Sequence, residues 1–251
     1  MDFGFSLPGR GLLATPDVLV KLAHKADDLR YSSIFVTDHV VIPATQSTPY
    51  PYATTGKFAG DWTNGYLEPL ALMSFLAGET SRVRLGTSVL VIPYRNPVVT
   101  AKMLATLDVM SGGRVILGAG VGWFKEEFEA LHAEPFERRG PVTDEYIALM
   151  RACWTREPVD WPGPIYRMGS VSAMPKPKQQ GASRCGRAAT PTPPCAGLES
   201  SRTAGIRSGC GLPPCCSLRS SGTRWPSSTT GRRRPAAIPR RSPCPSAAHS
   251  S

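Results

Sequence analysis

An α/β fold with a parallel sheet is predicted for residues 1–180 by two observations. Short apolar runs alternate with helix-length amphipathic stretches, as repeated β/α units require. Helix start and stop residues fall between the runs. Neither feature continues beyond Gln180, where the composition changes.

Phe3-Gly4-Phe5-Ser6-Leu7 reads as the first strand. Thr15-Pro16-Asp17 opens a helix: Thr15 can accept from an orphan N–H, Pro16 suits the first helical position, and Asp17 faces the positive dipole end. Val18, Leu22, Ala26 and Leu29 recur at helical spacing and are expected to pack on the sheet. Ser33–Thr37 is the second strand, ending in Asp38-His39. A loop over 42–64, rich in Pro, Thr, Tyr and Gly, has the length of a functional segment. A helix over Glu68–Glu79 and a third strand over Arg84–Ile92 follow. Asn96-Pro97 opens a helix that runs to Met110, with Gly112-Gly113 as its stop signal. Arg114–Gly120 is the fourth strand. Trp123–His132 and Thr143–Trp154 read as helical, and Pro164–Met168 as a short hairpin strand.

Charge divides the chain at the same place. Residues 1–180 carry 18 Lys and Arg against 18 Asp and Glu, so the net charge of +10 lies in residues 181–251. That tail has 11 Arg, no Lys and one acid, Glu199, and it holds six of the seven cysteines. It is too poor in large apolar residues to offset its ordering entropy, and disorder is expected. The cysteines form no C-x-x-C pair, which argues against zinc. No metal site is expected anywhere in the chain. Arg232-Arg233-Arg234 and Arg240-Arg241 are basic, but only Trp225 could serve as an aromatic platform, so nucleic acid is not an expected partner. No signal peptide and no membrane span are read, and a cytoplasmic location is expected.

Five segments together carry a family resemblance: FGFSLP at the start, VTDHV at 36–40, RLGTSVLVIPYRNP at 84–97, AKMLATLDVMSGGR at 101–114 and VILGAGVGW at 115–123. In order and spacing they resemble the luciferase-like monooxygenase superfamily, specifically its F420-dependent class. The resemblance covers about residues 1–180 and implies the first half of a (β/α)8 TIM barrel. It implies a cofactor at the carboxyl ends of the strands, F420 or alternatively FMN. His39 is then the catalytic candidate, since an imidazole can supply or take a proton near neutrality. Asp38 would orient His39 or bind the cofactor. Thr87, Ser88 and Val89 match a bulged strand where relatives carry a non-proline cis peptide, here Ser88–Val89. Gly120, Val121 and Gly122 would line the ring pocket. The segment is not a dinucleotide loop, because its third Gly falls one position early. The sugar-phosphate dehydrogenase branch has an acidic residue where Trp123 stands, so that activity is not transferred. Leu29-Arg30 replaces the Leu-Gly of many relatives. His24 and His132 are expected at the surface. The partner implied is a small organic substrate, with a homodimer possible for the parental enzyme.

The family pattern calls for four further β/α units, including a P-[IV]-W-x-G-G-H segment whose backbone N–H groups cradle the cofactor phosphate. Residues 184–209, RCGRAATPTPPCAGLESSRTAGIRSG, lack it. Read one nucleotide out of frame, the same stretch can encode PVWAGGHTDAALRRAGELADGWHPIG. Its Arg, Pro, Cys and Ser excess also fits out-of-frame GC-rich DNA. Residues 1–180 are therefore expected to be a half-barrel, and 181–251 an out-of-frame tail that leaves the chain inactive as written. A non-enzymatic remnant with a nucleic-acid-binding tail is the rival of a different class.

Overall fold

The computed structural model describes residues 2–58, 65–179 and 184–187, the last by backbone only. Five parallel strands lie in chain order: β1 Gly4–Ser6, β2 Ser33–Thr37, β3 Arg84–Val91, β4 Val115–Gly120 and, after a separate hairpin, β7 Arg184–Arg187. The crossovers carry α1 Pro16–Asp28, α2 Pro69–Glu79, α3 Pro97–Met110, and α4 Lys125–Ala130 with α5 Arg139–Thr155. The hairpin pairs β5 Val159–Pro162 with β6 Arg167–Val171. Sequential parallel order is what repeated β/α units build when each helix packs back on the sheet.

Local chemistry sets most helix ends. Glu68 accepts from Ala71 N–H at 2.7 Å, and Asn96 accepts from Val98 and Val99 N–H at 3.0 and 3.2 Å. Thr15 departs from expectation: its side chain makes no capping bond. Pro16 has already removed one orphan donor there, and Thr15 is exposed to water. Helix α1 closes with Tyr31 N–H donating to Ala26 C=O at 2.9 Å, which forces Arg30 to φ 59°. This is the left-handed position that glycine favours. Helix α3 ends the same way, with Gly112 at φ 77°.

The core forms where the helices meet the sheet. Leu19, Ala23 and Ala26 of α1 pack with Leu70, Met73 and Leu76 of α2 in one continuous buried cluster. Each such Leu contributes about 1.5–3 kcal/mol on burial, so Leu76→Ala should cost roughly 2–5 kcal/mol. The buried stripe of α1 is rotated from the expected one. Ala26 is common to both, Val18 and Leu22 are only partly buried, and Leu29 is 59% exposed. The helix ends at Asp28, so helical spacing no longer places Leu29. Helix α5 starts four residues before the expected Thr143, and α4 starts two after Trp123.

Strand β3 carries an extra residue. Val36 pairs with Thr87 but Thr37 pairs with Val89, so Ser88 is bulged out. A matching irregularity lies between Gly86 and Leu90 against β4. The bulge expected there is present, but the Ser88–Val89 peptide is not cis: the cis bonds among the described residues are Glu157–Pro158 and Met174–Pro175. A β-bulge accommodates the extra residue without the roughly 3–4 kcal/mol of a non-proline cis bond. Gly118 permits it, since a Cβ there would sit 2.1 Å from Thr87 C=O.

Strand β7 departs from the expected boundary at residue 180. It pairs parallel to β4 with Ile116 opposite Arg184 and Ala119 opposite Arg187. The remainder of the expected tail lies outside the described residues. Among the described residues no helix is long and apolar enough to cross a membrane, and no group of His, Cys, Asp and Glu could hold a metal. His24 and His132 are exposed.

Candidate active site

The carboxyl ends of β2, β3 and β4 surround a cavity of about 360 Å³. This is within the roughly 300–1,000 Å³ of small-molecule sites, and at the end of parallel strands where barrel chemistry is built. Asp38, His39, Ser88, Val89 and Gly120–Gly122 all line it, as do Tyr50, Tyr94 and Trp123. Thr87 is the exception among the sequence candidates. It is 1% exposed, and its hydroxyl donates to Gly118 C=O and accepts from Gly118 N–H, each at 3.0 Å. Its observed contacts tie β3 to β4 across the bulge.

Two buried carboxylates organise the site. Asp38 receives Arg95 through both terminal nitrogens, at 2.7 and 2.8 Å, and Val91 N–H at 2.8 Å. Arg95 also donates to Glu68 at 2.9 Å, joining the cavity to the start of α2. Burial pushes the Asp38 carboxyl above its ordinary pKa, against the pull of Arg95. Burial likewise works to lower the Arg95 pKa, but the hydrogen bonds and attraction of Asp38 and Glu68 outweigh it and raise it. Arg95 is therefore the fixed charge of the pair. Asp38 is satisfied by Arg95 and Val91, so the expected orienting role toward His39 falls to another hydrogen-bond partner.

That partner is Glu127, 0% exposed on α4. One oxygen lies 2.8 Å from His39 Nδ1 and accepts the Tyr94 hydroxyl at 3.0 Å. The other accepts Val40 and Val41 N–H at 2.7 and 3.2 Å. Burial, with Glu127 beside it, drives the Tyr94 phenol far above its ordinary pKa. Sequence reading missed Glu127, Tyr94 and Arg95. A signal existed for the first: Glu127 sits at helical spacing among Phe124, Phe128 and Leu131, and a carboxylate on an apolar face needs a partner.

Aromatic rings close the outer side. Trp123 stacks on Phe124 at 4.6 Å and meets Tyr50 at 4.9 Å, and Phe58 lies 5.1 Å from His39. The loop bearing Tyr50 is anchored by Glu126, which accepts from Ser47 N–H at 2.6 Å and Thr48 N–H at 2.8 Å. Burial would raise the Glu126 pKa, but the Ser47 and Thr48 donors bring it down to about 2. Gly122 turns the chain over the cavity at φ 82°, and a Cβ there would meet Phe128 at 2.7 Å and Val91 at 2.8 Å.

A parallel β/α sheet with a histidine–carboxylate cavity at the carboxyl ends of its strands is the arrangement on which β/α folds build their sites. The model of the luciferase-like monooxygenase family matches residues 1–203, and the chain belongs to that family. The match runs past the composition break and includes β7. An uncharacterized protein of Mycobacterium tuberculosis is 33% identical over 181 residues, 71% of this chain and 62% of that protein. The F420-dependent glucose-6-phosphate dehydrogenase of Amycolatopsis mediterranei is 34% identical over 167 residues, 65% of this chain and 45% of the enzyme. This chain thus spans less than two thirds of each relative. Among solved structures, the monooxygenase RslO1 from Streptomyces bottropensis superposes with a TM-score of 0.59 at 25% identity, over 74% of this chain and 53% of that one. An F420-dependent secondary alcohol dehydrogenase, in complex with an F420-acetone adduct, shares the fold at a TM-score of 0.54 and 22% identity, over 72% and 51% of the two chains.

Proposed function

We propose that this chain is the amino-terminal part of an oxidoreductase that moves hydride between the deazaflavin F420 and a small organic substrate. The observation that carries the reading is His39, 2.8 Å from a fully buried carboxylate and lining a cavity floored by bare backbone at Gly120 and Gly122. That floor suits a flat ring: Val89, Val121 and Gly122 would hold it, and Trp123 and Tyr50 would exclude water. Bound there, the deazaflavin would accept or supply the hydride. His39 would hold or release the accompanying proton at Nε2, the nitrogen left free by Glu127. The sequence at 184–209 lacks the P-[IV]-W-x-G-G-H pattern from which the family resemblance expects the phosphate cradle.

The out-of-frame reading explains that gap. The four tail residues that form β7 are those that decode as PVWA in the adjacent frame, the strand the family requires next. On this reading the chain as written is inactive. Resequencing the gene across codons 175–187 tests it; an adjacent frame encoding nothing of the family overturns it. Fluorescence titration with F420 and with FMN, on the chain as written and with the frame restored, tests the cofactor. F420 binding by the restored protein alone is expected. Binding of FMN alone would favour the second reading, O2-dependent monooxygenation. That reading is supported by the likeness to the monooxygenase RslO1, at 25% identity.

A further inference from the structure

Glu127 has more to do than fill a helix position. It is a carboxylate with no exposed surface, and no Lys or Arg is paired with it among the described residues. Four donors satisfy it instead, divided by type. Two rigid backbone N–H groups, from Val40 and Val41, face one oxygen. His39 Nδ1 and the Tyr94 hydroxyl face the other. Without a proton of its own, that second oxygen can only accept.

We infer that Glu127 is the positioning residue for His39: it fixes the imidazole in the Nδ1–H tautomer and directs the lone pair of Nε2 into the cavity. A neutral imidazole in solution has no such fixed choice, and the bond made by one nitrogen sets the state of the other. When Nε2 takes a proton from a substrate, the ring becomes cationic and Glu127 is already placed as its counter-ion. The same carboxylate holds Val40 and Val41, so the start of the long loop is tied to the state of the histidine. The catalytic significance rests on the proposed function; the tautomer does not.

Glu127→Gln makes a sharp test. The Val40 and Val41 N–H groups cannot become acceptors, so the glutamine must turn its carbonyl oxygen to them. Its NH2 group then faces His39, Nδ1 must accept, and the proton moves to Nε2. The measurement is ¹⁵N NMR of the full chain labelled at histidine, at about pH 8.5, some two units above the ordinary imidazole pKa. The chain has four histidines, so loss of one signal set in His39→Asn assigns His39. In the unsubstituted chain, Nδ1 should be pyrrole-type and Nε2 pyridine-type; in Glu127→Gln the two should exchange. A pyrrole-type Nε2 in the unsubstituted chain, or a folded Glu127→Gln variant with the His39 pattern unchanged, overturns the inference. If that variant does not fold, the unsubstituted spectrum decides alone. No cofactor enters the measurement, so failure to bind F420 would undo the proposed function and leave this result standing.

Discussion

Both ends of the sheet hold well-bonded charges, half-buried at one end and buried at the other, yet these take different partners. At the amino ends of the strands, Arg114 donates to the carbonyls of Ala77, Thr80, Val83 and Ser111, at 2.7–2.9 Å, and to the Thr80 hydroxyl at 2.8 Å. Asp27 accepts from the N–H groups of Ser81, Arg82 and Val83. These charges are used up on turn backbone. At the carboxyl ends, Asp38 binds Arg95 and Glu127 binds His39 and Tyr94, and Asp38, His39 and Tyr94 line the cavity. The lesson is that a charge held by many hydrogen bonds does not by itself mark a site. The type of partner does: charges met mainly by turn backbone signal stability, whereas carboxylates that also gather side chains beside an open cavity signal chemistry.

The largest effect should come from the cavity end. Asp38→Ala leaves the Arg95 guanidinium buried with only Glu68, and roughly 3–5 kcal/mol should be lost. Urea unfolding measures this, and in the frame-restored protein cofactor affinity should fall as well. Arg114→Met at the opposite end should cost roughly 2–3 kcal/mol, since hydrogen bonds to a charged donor are lost and carbonyls are left unpaired. Cofactor affinity of the frame-restored protein should be unchanged. Equal damage to binding by both variants would erase the distinction between the two ends.

Acid should act on the cavity end through its loop. The folded-state pKa of Glu126 is depressed to about 2 from 4.5, so its contribution is complete above 4.5 and is lost as pH falls through about 2. Hydrogen exchange at Ser47 and Thr48 should accelerate, beyond the intrinsic pH dependence, across that window. Glu126→Gln should already exchange fast at neutral pH. Asp27, also depressed from its ordinary 3.8, should release the Ser81–Val83 turn in acid independently of Glu126. The smallest effect lies away from both ends. Arg30→Gly relieves a left-handed backbone at the close of α1 and should stabilise the chain by about 0.5–1 kcal/mol, read as a raised urea midpoint.

Much of the framework was legible in advance. Strand β2 has the bounds read from its apolar run, and α3 begins after Asn96 and ends at Met110 as its cap and glycines indicate. All but one of the named site residues line the cavity; Thr87 does not, because its side chain points into the strand pairing. The misses have a common origin. Val18 and Leu29 were read from periodicity alone, and the helix ended before Leu29. The bulge was expected from the family resemblance alone, and the peptide geometry within it depends on how β2 and β4 pair on either side.

By itself the sequence determined what depends on near neighbours: the alternation of strand and helix, the caps, the family to which the chain belongs, and the break in composition after residue 180. Only the tertiary structure decided which charges meet. His39 and Glu127 lie 88 residues apart, and Asp38 and Arg95 lie 57 apart. A hydrogen bond across such a distance leaves no periodic trace, because its geometry is set by the pairing of whole strands and helices rather than by spacing along the chain. The same cause places four residues of the basic tail in the sheet: β4 offers an unpaired edge, and the backbone of Arg184–Arg187 pairs with it whatever side chains it carries.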